Sequence, residues 1–257
     1  MIIHMWHTHQ ASICGSIFVC AQIKQQLGSG LDVLYAPANM DLIRNIHEDV
    51  PPPTNRSNRT TLVHGDYMYY HYGCDGVDDR GWGCGYRTLQ TMCSWVTACD
   101  DPPARPIPTL CQIQEALVEM QDKPSAFTGS RSWIGSVEVA LCMDYFYDIP
   151  CRIRHVRQGD KLPEVIEELH AHFQNIGAPV MMGGDTDNSS KGIMGVCSSP
   201  QGHYLLVLDP HFYGKGLDRT EAQQFGWVQW RDLDSFQQES FYNFCIPQSK
   251  GVTVDSK

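Results

Sequence analysis

Helical and strand signals are segregated along this 257-residue chain, and that order constrains the fold more than any single motif. Helical spacing marks 85–98, where Leu89, Met92 and Val96 fall on one stripe, and then 110–120 and 134–146. A further helix is expected over 163–176, with Pro163 in its first turn and Ile166, Leu169 and Phe173 sharing a face. An aromatic run, Tyr67 to Tyr72, reads as an early strand. Strand candidates then follow at 151–156, 179–182, 193–197, 204–208, 228–230 and 241–246. Helices first and strands later predict an α+β domain, helices packed on a mainly antiparallel sheet.

Punctuation sets the expected boundaries. Gly28-Ser29-Gly30 and Pro51-Pro52-Pro53, followed by polar residues, are linker chemistry, so residues 1–59 read as a flexible or poorly ordered N-terminal extension. The folded body is expected at 60–250, and 251–257 as a C-terminal tail. The apolar stretch from Ala11 to Ala21 falls short of the roughly twenty residues a membrane span requires. No Lys or Arg precedes Lys24 to supply the basic start of a signal peptide. These features point to a cytoplasmic protein without a membrane span, and to a monomer.

A net charge of −10 with no basic cluster argues against nucleic acid as a partner. The eleven cysteines contain no Cys-x-x-Cys pair, so reduced thiols are expected rather than a zinc knuckle or redox motif. His7 and His9 near Cys14, and His170 with His172, do not make a ligand set at known spacing. No metal or other cofactor is expected.

The sharpest local signal is Asp78-Asp79-Arg80-Gly81-Trp82-Gly83-Cys84-Gly85-Tyr86-Arg87. It places a cysteine among glycines where a loop becomes a helix. A helix start offers free N–H groups and partial positive charge, both of which favour a thiolate. Flanking glycines allow close backbone approach, and an N–H beside the sulfur can help to hold an oxyanion. Arg87, one turn on, is placed to add positive charge or to pair with Asp78 or Asp79. A buried structural cysteine in a turn has the same local look, so the reading needs a base.

One is offered by Tyr204-Leu205-Leu206-Val207-Leu208-Asp209-Pro210-His211, an apolar strand ending in Asp-Pro-His. In extended backbone, residues two apart project to the same side, and Pro210 keeps this tip extended. Asp209 can therefore orient His211, and His211 can take a thiol proton. A plain turn after a core strand would read the same way.

Taken together, Asp79-Arg80-Gly81-Trp82-Gly83-Cys84-Gly85-Tyr86-Arg87-Thr88-Leu89-Gln90 and the distant Asp-Pro-His resemble the papain-like cysteine proteases specific for the ubiquitin-fold modifier. Ser132-Trp133-Ile134-Gly135, Gly183-Gly184 and Gly192-Ile193-x-Gly195-Val196 extend the resemblance over about residues 65–249. It is to the shorter, catalytic-domain-only members. The resemblance implies a papain-like fold with Cys84 as nucleophile, His211 as base, Asp209 as its orienter and Tyr72 as oxyanion-hole donor. Trp82, Trp133, Gly183 and Gly184 are then the expected walls of a groove for a glycine tail. The implied partner is the ubiquitin-fold modifier, both as precursor and on conjugated lysines. An autophagin-like protease is the nearest alternative, although those relatives tend to carry Met and a bulky residue after the cysteine. An inactive modifier-binding module is the other; the presence of Cys84, Asp209 and His211 together argues against it.

Overall fold

The computed structural model describes residues 40–54, 59–99, 105–186 and 189–249. Its centre is a seven-stranded sheet in which every pairing is antiparallel. The strands are β1 (Arg59–Leu62), β2 (Cys151–Val156), β3 (Val180–Gly184), β4 (Ser190–Ser199), β5 (Gly202–Leu208), β6 (Val228–Asp232) and β7 (Tyr242–Pro247). Six lie in the order β2-β7-β3-β4-β5-β6, and β1 pairs with the far half of β4, beyond the reach of β3.

Strand β4 is buried from Gly192 to Cys197, which explains its near-continuous apolar run. Its register with β5 slips between Ile193 and Gly195, and the carbonyl of the bulged Met194 accepts from the Val63 N–H at 2.8 Å. Against this sheet lies helix α1 (Cys84–Cys99), in which every residue from Cys84 to Val96 is buried. A helix enclosed on all sides cannot show a single apolar stripe, and the polar members of α1 are used structurally. Thr91 Oγ1 accepts from the Tyr70 N–H and Ser94 Oγ from the Met68 N–H.

Those bonds are why the aromatic run 67–72 is not the expected strand. Its N–H groups go to Asn45 Oδ1, Ser94, the Ile43 carbonyl, Thr91 and the Pro210 carbonyl instead of to a ladder. Only isolated bridges remain, at Met68 with Arg44 and at Tyr72 with Tyr213.

Helix α2 (Leu110–Glu119) starts from a reciprocal capping box between Thr109 and Gln112, and α3 (Ser136–Tyr147) packs on α1, α2 and the β2–β7 edge. Pro163 falls not in the first turn of an α-helix but in a 3-10 segment, Gly159–Val165, that leads into α4 (Ile166–Asn175). A short helix not anticipated from the sequence, α5 (Arg219–Gln224), is capped by Asp218.

Part of the stretch read as an extension is packed on this body. Ile46 is fully buried, and His47 Nδ1 bonds the Tyr67 hydroxyl at 2.8 Å. Residues 1–39 and 250–257 lie outside the described ones. Among the described residues no helix is long and apolar enough to cross a membrane, and the nine cysteines are all free thiols.

Candidate active site

Cys84 is the first residue of α1, and the Gly83 carbonyl accepts the first helical hydrogen bond, from Arg87 N–H at 2.9 Å. The glycines on either side are required by packing rather than by room for a ligand. A Cβ on Gly83 would lie 2.0 Å from Asp79 Oδ2, and one on Gly85 would lie 2.4 Å from the Ile134 carbonyl oxygen.

Asp79 must come this close because it binds Arg87. The two are wholly buried and joined through Nε at 2.7 Å, while Arg87 also grips both oxygens of Asp75 at 2.8 Å and Gln90 at 3.0 Å. Asp79 Oδ1 takes the Gly73 N–H at 2.8 Å, next to Tyr72. Arg87 therefore pairs with Asp75 and Asp79, and Asp78 pairs with the exposed Arg80 instead. This buried network holds the 72–75 segment, the 79–83 loop and α1 in one arrangement.

From the other side of the chain, β5 ends at Leu208 and delivers Asp209, Pro210 and His211 to the same place. Asp209 accepts both the His211 backbone N–H, at 3.0 Å, and the His211 ring Nδ1–H. Its own N–H is tied to the Trp227 carbonyl at 2.8 Å, and its carbonyl accepts from the Tyr69 hydroxyl. With Nδ1 held by the carboxylate, the opposite ring nitrogen is the one free to face the thiol, and His211 and Cys84 are hydrogen-bond partners.

The electrostatics of the pair follow from these contacts. Burial alone would raise the Cys84 thiol, but His211, the Ser190 backbone N–H and the Tyr72 hydroxyl outweigh it and hold the thiol below its ordinary 9. Burial likewise opposes a charged His211, yet Asp209 and Cys84 lift it to about 9. Asp209 is lowered despite its own burial, chiefly by His211. All three shifts favour the charged forms, a thiolate and an imidazolium side by side with the carboxylate behind them.

Tyr72 completes the cluster. Its ring meets His211 edge-on with centroids 5.0 Å apart, its N–H donates to the Pro210 carbonyl at 3.0 Å, and its hydroxyl contacts Cys84. Burial and the neighbouring sulfur raise the phenol, so it remains a donor.

Beside Cys84 opens a cavity of about 250 Å³ lined by Trp133, Gly183, Gly184, Ser190, Phe241 and Asn243 among others. Of the expected groove residues, Trp133, Gly183 and Gly184 are here and Trp82 is not. The Trp82 ring packs edge-on against Tyr86 at 5.3 Å, within the core. Two neighbours of the site escaped sequence reasoning: the Ser190 N–H, a backbone group that leaves no side-chain signature, and Asn243, whose Oδ1 bonds His155 Nδ1 at 2.6 Å. Gly81, part of the cysteine motif, accepts the Trp133 indole N–H on its carbonyl at 2.7 Å. Among the described residues no cluster of three or more His, Cys, Asp or Glu is arranged for a metal ion; His170 bonds Thr61 and Ser198, and His172 the Ala178 carbonyl. His7, His9 and Cys14 lie outside the described residues.

Residues 58–245 match the family model Peptidase family C78. The chain is 45% identical over 215 residues to Ufm1-specific protease 1 of Mus musculus, covering 83% of this chain and 97% of that protein. It is 41% identical over 208 residues to Ufm1-specific protease 2 of Homo sapiens, 80% of this chain but 44% of that one. The crystal structure of UfSP from C.elegans superposes with a TM-score of 0.70 at 34% identity, over 83% of this chain and 38% of that chain.

Proposed function

The chain belongs to peptidase family C78, and on that footing we propose that it is a thiol protease of the ubiquitin-fold modifier. It cleaves after the modifier's C-terminal glycine, maturing the precursor and freeing the modifier from conjugated lysines. A relative named for Ufm1 and matched over nearly its whole length supports that substrate.

In this reading the Cys84 thiolate attacks the scissile carbonyl, and the electrons of its C=O move onto oxygen. The Tyr72 hydroxyl donates to that oxyanion. As the C–N bond breaks, imidazolium His211 gives its proton to the leaving amine, which is either a lysine side chain or the amino group of the precursor's tail. A thioester on Cys84 remains; neutral His211 then takes a proton from water, whose oxygen releases the modifier as a free carboxylate. Asp209 keeps the imidazole turned toward sulfur and stabilises its charged form. Trp133, Gly183 and Gly184 border the space for a narrow glycine tail, and Trp82 supports the loop from within the core.

The observation that carries the proposal is the hydrogen-bonded meeting of Cys84 with His211, two residues from opposite halves of the chain. Cys84→Ser tests it. The variant is expected to lose precursor processing and deconjugation while still binding the modifier. A variant that processes precursor at the wild-type rate rules the proposal out.

A further inference from the structure

A row of residues paired across four neighbouring strands leads away from Cys84. His155 of β2 stands opposite Asn243 of β7, Asn243 opposite Gly183 of β3, and Gly183 opposite Ser190 of β4. Residues paired in this way project to one face of a sheet. The contacts agree: His155 Nδ1 bonds Asn243 Oδ1 at 2.6 Å, and a Cβ on Gly183 would lie 3.9 Å from Ser190 Oγ. Cys84, Ser190, Gly183 and Asn243 all line the cavity. Cys84 begins the helix packed on β4 and β3, so Asn243 stands at the far end, beyond Gly183. Unlike Gly83 and Gly85, Gly183 is not forced to be glycine by packing, since the nearest atom to its Cβ would be Ser136 Oγ at an ordinary 3.6 Å. Its bare Cα leaves a floor over which a chain can pass.

At the far end the Asn243 amide has one side engaged and one side open. Its Oδ1 accepts from His155 Nδ1, which therefore carries a ring proton, and the His155 ring lies against Phe241 with centroids 5.4 Å apart. Its Nδ2 makes no hydrogen bond within the described residues and is not sealed from solvent, so two N–H donors are offered on a wall of the cavity.

We propose that Asn243 is a tail-binding residue, its amide N–H donating to a main-chain carbonyl of the modifier about three residues before the terminal glycine. The inference rests on the function proposed above and adds to it a contact that fixes the course of the tail. Neighbouring strands lie about 4.8 Å apart, so Asn243 is about 10 Å from Ser190 across Gly183, and an extended chain at roughly 3.4 Å per residue covers that in about three residues. A contact so far from the reacting carbon is made equally in the ground and transition states. It therefore contributes to affinity and leaves kcat alone.

The experiment measures binding of modifier to Cys84→Ser protein with and without Asn243→Asp, together with a thermal melt of each. The tail is joined synthetically so that a single backbone ester, whose carbonyl is a weaker acceptor, falls on the second, third or fourth residue before the terminal glycine. Asn243→Asp keeps an acceptor for His155 and replaces the donor with a second acceptor. With Asn243 in place, one of the three esters is expected to weaken binding by about two- to tenfold, the range of one hydrogen bond. Asn243→Asp should weaken binding of the all-amide tail about tenfold, and the sensitive ester should then cost nothing further. Esters that cost the same in both proteins, or full-strength binding of the all-amide tail by Asn243→Asp, overturn the contact and leave the proposed function standing. Should the melt show Asn243→Asp unfolded, the ester series decides alone: a loss at one position supports the contact, and a loss at none overturns it. An all-amide modifier that does not bind Cys84→Ser at all overturns the proposed function, and the contact with it.

Discussion

Asp79 and Arg87 form an ion pair 2.7 Å long with no exposed surface on either side chain, one turn into the helix that Cys84 begins. A buried pair is weak evidence of stability by itself, because desolvation offsets much of the attraction, but removing one partner strands the other charge. Arg87→Met is therefore expected to destabilise the fold by about 3–5 kcal/mol. The neighbouring Asp78–Arg80 pair has the same chemistry and lies at the surface, so Asp78→Ala should leave stability unchanged. Urea unfolding followed by tryptophan fluorescence separates the two cases; equal midpoints for the variants would contradict the role given to the buried network.

The pH dependence of kcat/KM should be bell-shaped. On the acid side activity rises as Cys84 ionises, at a pH below the ordinary thiol value of 9. On the alkaline side it falls near pH 9, where His211 loses the proton it must give to the leaving amine. Asp209→Asn removes a contact that holds His211 up, so the alkaline limb should move down toward the ordinary imidazole value of 6.5. An unmoved alkaline limb in that variant would show that Asp209 does not set the proton affinity of His211.

Gly85→Ala addresses the groove without touching the thiol. The added methyl would fall 2.4 Å from the Ile134 carbonyl oxygen, so the segment that carries Trp133 must give way. KM for the modifier is expected to rise several-fold, while alkylation of Cys84 by a small reagent such as iodoacetamide continues. An unchanged KM would mean that the Trp133 segment does not shape the tail site.

These outcomes indicate which features were legible in the sequence. The strand at 151–156 was found with its ends: after Pro150, Cys151 and Ile153 alternate with Arg152 and Arg154 at the period of a strand. Asp209 and His211 do meet, but in the turn that follows β5 rather than along an extended tip: Asp209 Oδ1 accepts both the His211 backbone N–H and its ring N–H. The aromatic run 67–72 misled because its partners are side chains of a buried helix, and no local pattern reports where a backbone N–H finds its acceptor. Strand β1 was not expected at all, although only its first residue, Arg59, fell in the assigned extension, since its pairing with β4 is formed entirely at long range. The two tryptophans could not be told apart by type. Trp82 turns into the core against Tyr86, whereas Trp133 stays at the surface on a single bond to Gly81.

Covalent capture tests the central claim most directly. Ubiquitin-fold modifier bearing a thiol-reactive group in place of its terminal carboxylate is incubated with the protein at neutral pH, and the adduct is mapped by peptide mass spectrometry. The account predicts one adduct, on Cys84, lost in Cys84→Ser and formed much more slowly in His211→Ala. An adduct on another of the cysteines, or labelling of Cys84 at the same rate without the imidazole, would contradict it.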